Sequence, residues 1–286
     1  MEQPANAPPP NPDARSARAL TPPYPAPGAG PGVWSGLGTV GLYFLLQLGI
    51  SALAGAAIGF VLAVRAGVEA GLQHSRPNVQ AIMALVRTNP NVRIVLTVVT
   101  VAAAAAVLTA IVRRAWPAQW ARGGVPGLGL AATPRRRAYP LAVVLGFCIL
   151  LAGGWLTHLL AGHHPVQQDV TIMASHASLG LRVLLVLMVV GVAPFVEELV
   201  FRGVLLSGLA SRLPVAWAVV ASALVFGAAH LPDFSFAWYP VPALIVLGLV
   251  LGWLRVYSRS LWPSVTLHAT NNLFAAIGWF ITMHPR

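Results

Sequence analysis

Seven stretches of almost unbroken apolar sequence dominate the chain, at residues 37–64, 92–112, 139–161, 181–206, 214–230, 239–254 and 261–281. A helix needs about 20 apolar residues to cross the hydrocarbon core of a bilayer. Backbone groups in lipid must be satisfied within the chain, so these stretches have to be helices rather than open strands. The expected fold class is all-α: a polytopic membrane helix bundle of about seven transmembrane helices. Among 286 residues only 9% are charged, where a water-soluble domain carries roughly 25%. That composition excludes an ordinary soluble enzyme.

Residues 1–33 hold ten of the 24 prolines and show no apolar period, which predicts a disordered Pro-rich tail. The organisation expected is this tail, then three transmembrane helices with a basic loop over 34–161, then a second membrane domain over 181–281, which holds the candidate site read below. The first apolar run is too long for a signal peptide and reads as an uncleaved anchor.

All 18 basic residues are arginine, against seven acidic residues. The absence of lysine excludes a Ser/Lys dyad or a Schiff-base lysine. The bias toward arginine points to a GC-rich bacterial genome, and so to the bacterial plasma membrane. No run mixes basic and aromatic residues as a nucleic-acid surface would, so no nucleic-acid partner is expected. Arg113, Arg114, Arg122, Arg135, Arg136 and Arg137 crowd the connection between the second and third helices, which places it in the cytoplasm. Alternation then puts the N-terminus, the 211–213 turn and the 255–260 loop on the same side. Arg65, Arg76 and Arg87 lie on the other side, against the rule. The single cysteine, Cys148, permits no internal disulfide and reads as a packed, inert thiol. Gly55xxxGly59 and Gly248xxxGly252 read as close-packing positions between helices.

The fourth run places Glu197, Glu198 and Arg202 among apolar neighbours. An unpaired charge at the bilayer centre costs at least about 2.5 kcal/mol, so three together demand a reason. Two later runs carry His230, and His268 with Asn271 and Asn272. Glu198 and Arg202 are four residues apart, with the acid first, and so can pair on one face. Glu197 is turned about 100° away and is left to face the bundle interior. His268 and Asn272 also share a face.

The 211–214 turn makes a hairpin whose arms bring Glu197 and His230 to one level. His268 sits only about 10 Å from the 255–260 loop. Its meeting with the other two therefore requires the hairpin to project by roughly 15 Å or to bend at Pro194. A carboxylate, two imidazoles and an amide converging in a low-dielectric bundle suit water activation and amide hydrolysis. Glu197 is the general base, the imidazoles bind a divalent metal or orient the water, and Asn272 donates to the oxyanion. A divalent metal such as zinc would be held by Glu197, His230 and His268, leaving one position open for water.

These residues resemble the CAAX protease and bacteriocin-processing family of intramembrane endopeptidases, which includes the type II prenyl-protein endopeptidases. The three motifs occur in order as Glu197-Glu198-Leu-Val-Phe-Arg202, Phe226-Gly-Ala-Ala-His230 and His268-Ala-Thr-Asn-Asn272, and the likeness covers about residues 181–280. It implies an endopeptidase cutting a membrane-associated or lipidated protein or peptide, with Glu197 activating water, His230 and His268 holding the water or a metal, and Asn272 on the oxyanion. The family's mechanism is described both with a metal and with glutamate and histidines alone, and both stay open here. Two other classes are weighed against it: an ion-coupled transporter, disfavoured because the polar residues lie only in the second half, and a catalytically silent scaffold or immunity protein of the same fold.

Overall fold

The computed structural model describes residues 30–282, except Ser75, Pro77 and Gln167. The tail expected to be disordered lies, through residue 29, outside the described residues. Every regular element among those described is helical. In chain order they are α1 (Val33–Leu72), α2 (Val79–Thr88), α3 (Pro90–Ala115), α4 (Ala138–Ala161), α5 (Asp169–Ser175), α6 (Leu179–Ala210), α7 (Val215–Ala229), α8 (Val241–Ser258) and α9 (Trp262–Thr282). A helix stands at each of the seven apolar runs. Five of them, α1, α3, α4, α6 and α8, are long and apolar enough to cross a membrane. α7 is shorter, at 15 residues. The protein is therefore an integral membrane protein with at least these five candidate spans.

Local sequence explains the helix starts. The Asn89 side chain accepts from the backbone N–H groups of Asn91 and Val92, with Pro90 in the first turn of α3, and Asn78 caps α2 through the N–H of Ala81. α2 and α5 are additions to the seven expected helices and lie within the first and third connections. α1 runs for 40 residues, well past the expected end at residue 64. At 1.5 Å per residue it is about 60 Å long, twice the hydrocarbon thickness.

Helices α4 and α9, α7 and α8, and α1 and α3 pack side by side. Gly248 faces Ala223, and Gly252 faces Val219, so closely that an added Cβ would come within 3.0 Å and 2.8 Å of them. This glycine pair sets the register of α8 on α7. Gly55, by contrast, has open space beside it, and Gly59 meets only the tip of Val86. Cys148 is exposed on α4 rather than packed. It lies beside Phe147 on an outward face of α4, so lipid rather than protein surrounds it.

The connections sort into two ends. At one end the Arg255 guanidinium donates to the carbonyls of Gly123 and Gly127, at 2.7 and 2.6 Å. There Ser207 donates to the Gly127 carbonyl, Leu261 N–H to that of Gly129, and Gly208 abuts Gly32. At the other end Tyr239 donates to the Pro165 carbonyl, and Ser178 N–H to Asn91. The start of α1, the second connection, the 211–214 turn and the 259–261 turn therefore share one end, as alternation requires.

Candidate active site

The site is built on α6, which departs from α-geometry twice: Met188–Val192 and Leu199–Leu205 are π-helical turns flanking Pro194. Wide turns of this kind are rare and frequently accompany functional sites. Pro194 lacks an N–H and is accommodated between them without breaking the helix.

Glu198 lies at the floor of the site and is fully buried. Its Oε1 accepts from Arg202 Nη1 at 3.1 Å and from His268 Nδ1 at 3.0 Å. Arg202 is equally buried, donates through Nη2 to the Gly248 carbonyl at 3.3 Å, and lies 4.2 Å above the ring centre of Phe226. The charge is thus matched by a carboxylate, a carbonyl and a π-face, the kind of pairing that buried ions require.

Glu197 faces the other way. Its Oε2 is 3.7 Å from His230 Nε2 and 3.7 Å from His268 Nε2. His230 caps the end of α7, where its Nδ1 lies 2.8 Å from the Phe226 carbonyl. Each imidazole therefore commits its Nδ1–H, one to a backbone carbonyl and one to the Glu198 carboxylate. In a neutral ring this leaves Nε2 with a lone pair. Two lone pairs facing a carboxylate repel unless a proton, a water hydrogen or a cation lies between them. Arg202 offsets only one of the two carboxylates, so the site carries one uncompensated negative charge while both rings are neutral.

The pairing of Gly248 with Ala223 and of Gly252 with Val219 sets Ser258 level with Leu213, so the α6–α7 hairpin does not project beyond the neighbouring turn. α9 starts at Trp262, so His268 lies about 9 Å along it from the 259–261 turn. Both imidazoles nevertheless lie 3.7 Å from the same Glu197 oxygen.

Asn272 Nδ2 donates to the Val189 carbonyl at 2.8 Å, within the first π turn. Asn271 reaches only the Asn272 amide oxygen, at 3.4 Å. Asp233 does not orient the His230 ring, whose Nδ1 is taken by Phe226. Asp233 keeps an exposed surface, yet the protein packed around it pushes its carboxyl above the ordinary carboxylate range; the His230 charge opposes this and Glu197 adds to it. His164 stacks on Tyr239.

Phe226, which the sequence marks only as the first residue of the Phe226-Gly-Ala-Ala-His230 motif, is part of the site. Its buried ring stands 4.6 Å from that of His230 and 5.8 Å, edge-on, from that of His268. This ring therefore stands between Arg202 on one side and His230 on the other, while His268 meets the floor directly through Glu198. Its spacing four residues before His230 is the signal that placed it there.

Residues 179–274 match the family described as type II CAAX prenyl endopeptidase, Rce1-like. No curated protein and no solved structure matches the chain. The matched stretch holds α6, α7, α8 and the first half of α9, with every side chain of the site. The similarity to the CAAX protease family thus lies in this helical segment, residues 179–274.

Proposed function

We propose that the protein is an intramembrane endopeptidase that hydrolyses a peptide bond of a membrane-associated or lipidated protein, with Glu197 as the base that activates water. The observation that carries this reading is the approach of one carboxylate oxygen to two imidazole nitrogens whose other nitrogens are already committed. A water between them would donate one hydrogen to Glu197 while its oxygen faces the scissile carbonyl. Glu197 takes the proton as the C–O bond forms, and returns it to the leaving nitrogen as the C–N bond breaks. His230 and His268 hold the water in line, and Glu198 with Arg202 holds His268.

The donor set of Glu197, His230 and His268 suits a divalent metal chemically: two imidazoles with their Nδ1–H groups fixed, plus a carboxylate, is the usual hydrolytic pattern. A bound zinc ion would supply a water of lowered pKa. As placed, no three His, Cys, Asp or Glu side chains among the described residues form a group that could hold an ion. The steps above are accordingly assigned to the chain's own groups.

The arginine-rich second connection supports a cytoplasmic side for its end of the bundle, and for the N-terminus with it, in a bacterial membrane. The substrate class follows from the surroundings: an active site within the bundle is reached by a chain already held at the bilayer. The test is quantitative proteomics of membranes from cells carrying wild type or Glu197→Gln. The expected result is at least one membrane protein that accumulates uncut in the variant. An identical set of fragments in both would overturn the reading.

A further inference from the structure

The tetrahedral intermediate of amide hydrolysis needs a hydrogen-bond donor for its oxyanion. In this structure the Asn272 amide is engaged with the Val189 carbonyl. A second polar group stands nearby, on a helix outside the family match. α1 packs antiparallel to α6: an added Cβ on Gly36 would lie 3.2 Å from Leu205 Cα, and Gly208 meets the Gly32 carbonyl. Continuing that register by seven residues along each helix brings Tyr43 level with Glu197 and Glu198.

Gly36, Val40 and Tyr43 share the buried face of α1, so the tyrosine points toward α6. Its ring is 4% exposed and belongs to the same core as Val196 and Val200. The charges of Glu197 and Asp233 are close enough to act on it.

A buried tyrosine hydroxyl ordinarily has a hydrogen-bond partner. The Tyr43 hydroxyl makes no hydrogen bond to another described residue, and its oxygen, unlike the packed ring, is not fully sealed from the surface. A donor held by a rigid helix beside the catalytic carboxylate, and left unused by the protein, is suited to a ligand oxygen. We infer that Tyr43 is a further catalytic residue, its hydroxyl donating a hydrogen bond to the carbonyl oxygen of the scissile peptide as water adds to the carbonyl carbon. The inference rests on the peptidase reading above. In the step itself the water oxygen bonds to carbon, the carbonyl π electrons move to oxygen, and Glu197 takes the water proton. Tyr43 keeps its own proton and only strengthens its hydrogen bond as the oxygen becomes charged.

The test uses purified full-length protein in proteoliposomes, with an internally quenched peptide bearing an S-farnesyl cysteine as the probe. Tyr43→Phe removes one oxygen and leaves the ring packed. The expected result is a fall in kcat of about 10² to 10³-fold, the size seen when one oxyanion donor is removed, with KM and melting temperature unchanged. Undiminished kcat in Tyr43→Phe, with Glu197→Gln inactive, would sink the tyrosine's role and leave the peptidase reading intact. Activity retained in Glu197→Gln would sink both. Placement is tested without turnover by pairing Tyr43→Cys with Glu197→Cys in a Cys148→Ser background and adding a short bis-maleimide. An intramolecular cross-link is expected, and its absence would overturn the proposal.

Discussion

Replacing Glu198 by alanine should unsettle the protein in a way that replacing Glu197 does not, and the burial of the two carboxylates gives the size of the difference. Glu198 is wholly buried and is, among the described residues, the only carboxylate bonded to Arg202. Without it, the buried guanidinium keeps one carbonyl at 3.3 Å and one aromatic face. Breaking a buried pair from one side costs about 3 to 5 kcal/mol. For a chain of this size each kcal/mol shifts the melting temperature by roughly 2 to 4 °C, so Glu198→Ala should melt roughly 6 to 20 °C lower. Glu197 makes no comparable bond, and its side chain is 16% exposed. Glu197→Gln should therefore stay within about 0.5 kcal/mol of wild type, the range of a substitution that breaks no buried contact, while losing activity. Nine tryptophans report the transition by intrinsic fluorescence in detergent. The double variant Glu198→Met with Arg202→Met replaces both charges by apolar chains of similar length and should recover most of the stability. Its activity should stay low, because His268 loses the acceptor of its Nδ1–H. A Glu198→Ala protein that melts with wild type, or a double variant no better than the single one, would refute the assignment of Glu198 to the structural floor.

Two further outcomes are expected. If the arginine-rich connection is cytoplasmic, a cysteine at Thr133 should resist an impermeant maleimide in intact cells and one at Gln168 should react, both in a Cys148→Ser background; the reverse labelling would invert the orientation. Elemental analysis of active protein decides how water is activated: a stoichiometric divalent metal lost in both His230→Ala and His268→Ala assigns it to those ligands, whereas full activity without metal and with chelator present leaves the work to Glu197 and the histidines.

Spacing within one helix was enough to read the parts of the site that lie on one helix. Glu198 and Arg202 four residues apart, and Glu197 turned away from both, follow from 3.6 residues per turn alone. What spacing does not contain is the register between helices. Gly248 and Gly252 against Ala223 and Val219 set the level of α8 on α7, and Gly36 against Leu205 set that of Tyr43, over separations of 25 to 169 residues. The π turns beside Pro194 were equally hidden, because Val189 and Leu199 are ordinary apolar residues whose neighbours, rather than their own propensities, fix the backbone. The exposure of Cys148 is hidden for the same reason: an apolar run that is hydrophobic on all sides does not reveal which side meets protein and which meets lipid.

The first of those π turns gives Asn272 a role that can be separated from direct catalysis. Its amide donates to the carbonyl of Val189, five residues before Pro194 and eight before Glu197, so the bond ties α9 to the turn that sets the direction of α6 above the site. Asn272→Ala leaves that carbonyl without its side-chain donor in an apolar bundle, at a cost of about 1 to 3 kcal/mol. If this tether is the main function of the amide, the variant should lose melting temperature and activity together, and Asn272→Gln, which keeps a donor but lengthens the arm by one methylene, should recover part of both. A direct oxyanion donor would behave differently: kcat would fall by about 10² to 10³-fold with the melting temperature unchanged, as expected of Tyr43→Phe. An Asn272→Ala protein as stable as wild type but inactive would therefore refute the tether and return the amide to the oxyanion.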